Sequence, residues 1–140
     1  MKRALVLLLV LFALAACKTA PDEIPEDLTQ PELIQLAQES ADNENWASAL
    51  AYYQAVIDRF PEDKEAAVVA QYEMSLIYYR DGDLEAAEAG FEQLLGQYDF
   101  DADELPAWPR VLAERLLEDI RAESAAAEAA AAGKPVPADE

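Results

Sequence analysis

The chain has 140 residues, 53% of them hydrophobic and 28% charged, with a formal net charge of −19. That length holds one modest core, and the lack of histidine together with a single cysteine, Cys17, excludes imidazole catalysis, His/Cys metal clusters and an internal disulfide. The acidic excess repels phosphate backbones, so nucleic acid is excluded as a partner, and a charged partner should present basic groups.

Residues 1–16 read as a removable signal. Lys2 and Arg3 precede an apolar run from Ala4 to Leu14, which is too short to span a bilayer core of ~20 residues but fits a secretory signal. Cleavage is expected between Ala16 and Cys17. The segment Leu14-Ala15-Ala16-Cys17 resembles the lipobox of bacterial lipoproteins. The resemblance implies a diacylglycerol thioether on Cys17, acyl chains such as palmitate on the new amine, and a periplasm-facing, lipid-anchored protein. In enteric-type sorting an aspartate after the cysteine retains the protein in the inner membrane; Lys18 stands there instead and favours the outer membrane. Residues 17–30 then form the lipidated cysteine and an acidic tether with two prolines, Pro21 and Pro25. Thirteen extended residues reach at most ~45 Å.

The next stretch predicts five helices, at about 31–42, 45–59, 63–80, 83–97 and 106–131, and no strand pattern competes. Thr29-x-x-Glu32 is a capping box with Pro31 in the first turn. Asp42 to Asn45 form a turn and cap before Trp46, and Pro61 closes the second helix. Gly82 supplies a positive φ and Asp83 a cap for the fourth. Asp99 to Glu104, with Pro106 and Pro109, separate the fourth helix from the fifth. Residues 122–132 hold eight alanines in eleven, so the fifth helix continues as a capping helix. Residues 122–140 are an alanine-rich helix end and a disordered tail.

The helices repeat with a period of 38 residues. Trp46 aligns with Leu84, Ala49 with Ala87, Tyr53 with Phe91, and Val56 with Leu94. Leu36, Met74 and Leu112 form one series, and the small residues Ala37, Ser75 and Ala113 another. Such small residues let helix backbones approach closely.

This pattern resembles the tetratricopeptide repeat over residues 31–120. The second unit matches at Met74, Ser75, Tyr78, Gly82, Asp83, Ala87, Phe91 and Leu94, and the first at Leu36, Ala37, Ala49, Tyr53, Val56 and Pro61. The first unit departs at Ser40, where an aromatic is usual, and at Glu44-Asn45, where Gly-Asp is usual. The standard period is 34. The longer junction here is similar to that of bacterial envelope lipoproteins, such as the lipoprotein subunit of the β-barrel assembly machinery, and of periplasmic cell-division coordinators. The resemblance implies an all-α, solenoid-like domain over 31–121, of about two and a half helix hairpins.

It also implies a concave groove lined by the first helix of each pair. By register the groove residues are Ile34, Gln38 and Ala41; then Tyr72, Leu76, Tyr79 and Arg80; then Arg110, Glu114 and Leu117. The competing assignment is that the fifth helix fills this groove. Trp46 and Trp108 read as packing residues, Trp108 over the fourth helix. Asp99-x-Asp101-x-Asp103 has Glu104 and Arg110 where a calcium loop needs Gly and Glu, so no metal is expected. No cofactor and no catalytic residue are expected either, because nothing suggests the cleft that catalytic carboxylates require. The functional expectation is a non-enzymatic adaptor that binds envelope proteins through the concave face and the membrane through its lipid. The alternative is an accessory small-ligand-binding subunit of a periplasmic transport system.

Overall fold

The computed structural model describes residues 19–133. Five helices follow in chain order: α1 Gln30–Asp42, α2 Trp46–Arg59, α3 Lys64–Asp81, α4 Leu84–Asp101 and α5 Ala107–Ala131. Each packs on the next, and α3 also touches α5. No strand occurs among the described residues. The architecture is an all-α stack of two antiparallel hairpins, α1–α2 and α3–α4, closed by α5. The signal, Cys17 and the tail 134–140 lie outside the described residues.

Local chemistry sets the helix starts. The Glu32 carboxylate accepts from the Thr29 N–H at 2.8 Å and from the Thr29 hydroxyl at 2.6 Å, and these bonds hold it below the usual carboxylate range. Asp63 accepts from the Ala66 N–H, and Asp83 from the Ala86 N–H, both at 3.0 Å. Each side chain thereby satisfies an amide that has no partner within its helix. Gly82 ends α3 with φ 85°. At the equivalent place in the first hairpin Glu44 adopts φ 54°, so the turn geometry is conserved between the units although the glycine is not.

Two cores share α3. Leu33, Ala37, Ala49, Tyr53 and Val56 of the first hairpin pack with Ala70 and Ile77 of α3. From another side of α3, Val68 and Tyr72 pack with Phe91 and Leu94 of α4 and with Ala113, Leu117 and Ile120 of α5. Burying each large apolar side chain contributes about 1.5–3 kcal/mol. The α3–α4 approach is close because both contact residues are small: a Cβ added at Gly90 would lie 2.4 Å from Ser75 Oγ.

Three expectations are corrected. First, α4 continues past residue 97 to Asp101. Tyr98 faces inward and donates its hydroxyl to the Pro106 carbonyl at 2.7 Å. Lys64 Nζ meets Asp101 Oδ1 at 2.9 Å and Glu104 Oε2 at 2.8 Å. Neutralised and pinned, those acids belong to a helix end and its turn. Second, Trp108, read as a packing residue, sits edge-on to Tyr72 of α3, with centroids 5.2 Å apart, and is 42% exposed, so it is only partly covered. Trp46 is half-buried against the first core.

Third, residues 19–29 are not an open tether. The chain Asn45 Nδ2 to Ser48 Oγ (2.8 Å) to the Thr19 carbonyl (2.9 Å) fixes one end. Arg59 donates to the carbonyls of Ile24 at 2.8 Å and Pro25 at 2.6 Å. Ile24 and Leu28 pack on the first core. From Ser48 to Arg59 the helix rises ~16 Å, about the reach of five extended residues. The segment therefore runs alongside α2 and covers the outer end of the stack.

Candidate partner-binding face

The central helix α3 decides which residues face solvent between the hairpins. Ala66, Ala70, Met74 and Ile77 turn to the first core, and Val68, Tyr72, Leu76 and Tyr79 to the second. Between these faces runs a strip containing Glu73 and Arg80, seven residues apart and so on one side of the helix. Glu73 is half-buried on that strip and Arg80 exposed.

The groove residues read from the sequence divide into two groups. Gln38 and Arg80 are exposed, and Arg110 is exposed but bonded to Glu114 at 2.9 Å. Ile34 and Ala41 are half-buried on the first core. Leu76 and Tyr79 are half-buried on the second core, and Leu117 is buried within it. Tyr72 is 6% exposed. Its ring is held between Phe91, at 5.8 Å, and Trp108, so it serves the core rather than standing open to a partner. Thus α5 covers Tyr72, whereas Gln38 on α1 and Arg80 on α3 stay exposed.

Electrostatics mark Glu73. Burial pushes its carboxyl above the usual range, and Arg80 only partly opposes that shift. Burial also raises the Tyr53 hydroxyl, with Glu73 and Asp42 adding to the effect and Arg80 opposing it. Glu73 was not among the residues singled out from the sequence, and Asp42 was read only as part of a turn. The repeat register held the signal: one period on, Glu73 becomes Val111 and Tyr53 becomes Phe91.

The opposite side of α3 borders a cleft of about 380 Å³ between α2 and α4. Gln54, Ile57, Met74, Tyr78, Gly90 and Gln93 are among its lining residues, and none of the lining is charged. Gln97 bonds to Gln71 on its wall. At the foot of the stack, Arg59, Phe60, Glu62 and Glu104 border a wider, open depression. No group of three or more acidic or cysteine side chains fit to hold a metal occurs among the described residues.

Residues 33–63 and 69–99 each match the tetratricopeptide-repeat family model. The chain therefore carries tetratricopeptide repeats on the two hairpins, the architecture of a protein–protein interaction module. A protein of Treponema pallidum (strain Nichols), described as uncharacterized, is 36% identical over 94 residues, which is 66% of this chain and 38% of that protein. The chain thus spans well under half the length of this relative. No solved structure matches.

Proposed function

We propose that this tetratricopeptide-repeat chain is a lipid-anchored adaptor of the bacterial envelope, facing the periplasm and acting by binding another envelope protein. The observation that carries the binding role is the pair of repeat hairpins matched to the family and stacked through α3, with Gln38 of α1 and Arg80 of α3 exposed. The lipobox-like Leu14 to Cys17 supports the anchor, and Lys18 supports the outer membrane. The docked segment then sets the geometry. Two peptide links between Cys17 and Thr19 span at most ~7 Å, so a lipid on Cys17 holds the α1–α2 turn close to the bilayer. The body does not hang tens of ångströms away.

Two measurements test this reading. Metabolic labelling with an alkyne fatty acid should mark the wild-type chain and not Cys17→Ala; equal labelling of both would remove the anchor. A photo-crosslinking residue at exposed Gln38 should capture a discrete envelope protein in cells, while the same residue at Glu85, on α4, should not. Identical or absent products at both sites would remove the adaptor.

The small-ligand alternative is supported by one feature, the uncharged cleft between α2, α3 and α4. Native mass spectrometry of the protein purified from its own envelope would show a retained mass if that cleft is the working site.

A further inference from the structure

The large apolar side chains left exposed gather on the last two helices. Among the described residues they are Phe100, at the end of α4, and Trp108, Val111 and Leu112 on α5, with Val111 60% exposed. Such clustering, unlike a scattered leucine, marks a contact surface. On α3, Ala70 and Met74 face the first core, and the residues two places on, Tyr72 and Leu76, face the second. On α5, Pro109 and Ala113 are buried, and the residues two places on are Val111 and Arg115, both exposed. The side of α5 that corresponds to the second-core side of α3 therefore has no cover among the described residues.

That side carries a regular stripe. Trp108, Val111, Arg115, Glu118, Ala122 and Ala125 alternate spacings of three and four and are all exposed, so they fall along one seam of the helix, as in a coiled coil. The seam has large side chains at its start, an arginine and a glutamate in the middle, and alanines at its end. Of the arginines on α5, Arg110 is paired with Glu114, and Arg121 with Glu88 and Glu92. Arg115 and Glu118 make no hydrogen bond or ion pair with a described residue. Past Ile120 no α5 side chain enters either core, which leaves the alanine end accessible.

We propose that this seam is the contact between two copies of the chain, with their α5 helices antiparallel about a two-fold axis. Run against itself in reverse, the seam is its own complement. With Arg115 opposite Glu118 of the second copy, Val111 falls opposite its Ala122 and Trp108 opposite its Ala125. The two-fold repeats each contact, which sets two Arg–Glu pairs at the centre and a large residue against a small one on either side. Alanine opposite a bulky side chain lets the helix axes approach closely. An unrelated helix would need a base, an acid and small residues in matching order; a second copy brings them by symmetry. The contact covers ~26 Å of helix, at the small end of the range for interfaces, and the net charge of −19 opposes it. The dimer is therefore weak, and the dilute chain is a monomer. The pairing does not depend on the adaptor reading.

The test is disulfide trapping of the full chain in detergent micelles, with one population carrying Val111→Cys and another Ala122→Cys. Mild oxidation of the mixture should give a dimer band. Either variant alone should give no more than the wild type, whose one thiol is Cys17, because the two copies of residue 111 lie ~17 Å apart along the antiparallel pair. Arg115→Glu in both populations leaves only carboxylates at the centre and should lower the band about tenfold. Arg115→Glu in one population and Glu118→Arg in the other re-form both ion pairs across the axis and should return the band to within about twofold. All these positions are exposed, and helical circular dichroism checks that each variant is folded. Equal bands from the single variants and the mixture would mean random encounter and overturn the pairing. So would a band indifferent to Arg115→Glu, or a loss that Glu118→Arg fails to repair. Absence of a band from the mixture would overturn it as well, and a photo-crosslinking residue at Val111 would then report which other protein covers the seam. The adaptor reading keeps its own readout at Gln38, so either can fail alone.

Discussion

At the scale of single residues, two positions hold conformations or charges that the fold tolerates rather than uses. Glu44 takes φ 54° where the second hairpin has Gly82 at φ 85°. A side chain in the left-handed region is strained, and glycine removes that strain at some cost in chain entropy. Glu44 also makes a contact within the described residues, so in Glu44→Gly the relieved strain is offset by chain entropy and the lost contact, and stability should change by less than about 1 kcal/mol with an unchanged urea slope. Glu73 is the second position. Its folded pKa is raised by burial, so the native state holds that proton more tightly than the unfolded chain does. Its charge opposes folding at neutral pH, and that penalty fades as pH falls through the raised pKa toward the ordinary value near 4.5. Glu73→Gln should be more stable than wild type at pH 7, with the gap closing over that window. Glu32 and Asp63 behave oppositely, because hydrogen bonds lower both. Their contribution is present above the ordinary carboxylate range and is lost as pH falls through their depressed values. A gap between Glu73→Gln and wild type that stayed constant from pH 7 to pH 4 would show that the burial of Glu73 is misread.

At the scale of elements, several caps and turns were legible because each needs particular residues: Thr29 with Glu32, Asp83 and Gly82 all sit where their chemistry is used. The segment before α1 was not legible. Its prolines and acids match a solvated linker, and only the three-dimensional proximity of Arg59 and Ser48 supplies donors for its carbonyls. Ile24 and Leu28 are too sparse to announce a packed stretch by periodicity. The docking can be broken on its own. Arg59→Ala should leave the helices intact and speed protease cleavage within residues 20–28 several-fold, with a stability loss of about 1–2 kcal/mol from the freed carbonyls and loosened apolar contacts. Unchanged cleavage would mean that Ile24 and Leu28 hold the segment without the arginine. The small-residue contact between α3 and α4 is equally specific. Gly90→Ala drives a methyl into Ser75 Oγ and should cost about 1–3 kcal/mol. Much of that loss should return in the double variant with Ser75→Ala, because the clashing oxygen is gone.

At the scale of the whole molecule, the 38-residue period made the stack readable from the sequence, since equivalent positions repeat the same burial, but it assigned Tyr72 to the open groove. Register fixes the face on which a side chain lies, not whether a later helix covers it. Here α5 brings Trp108 over Tyr72, a contact between residues far apart in sequence that no local pattern encodes. The same geometry governs cooperativity. Repeat stacks are stabilised by intrinsic units and nearest-neighbour interfaces, and α3 belongs to both cores through opposed sets of side chains. Neither hairpin can lose α3 without exposing the other's core. Phe91→Ala, at a fully buried site in the second core, should cost about 3–5 kcal/mol and lower amide protection in α1 and α2 as well as in α3 to α5. The far end of α5 should behave differently. Arg121 reaches Glu88 and Glu92 of α4 at 2.8 and 2.6 Å, and Ile120 is the last α5 side chain buried in a core. The eleven helical residues that follow, about 17 Å of helix, add no large apolar group. Ending the chain after Ala122 should change stability by less than about 0.5 kcal/mol, whereas Ile120→Ala should cost about 2–4. If protection in α1 and α2 survived Phe91→Ala intact, the hairpins would be independent units and α3 a mere connector. The groove between α1 and α3 would then have no rigid frame on which to position a partner.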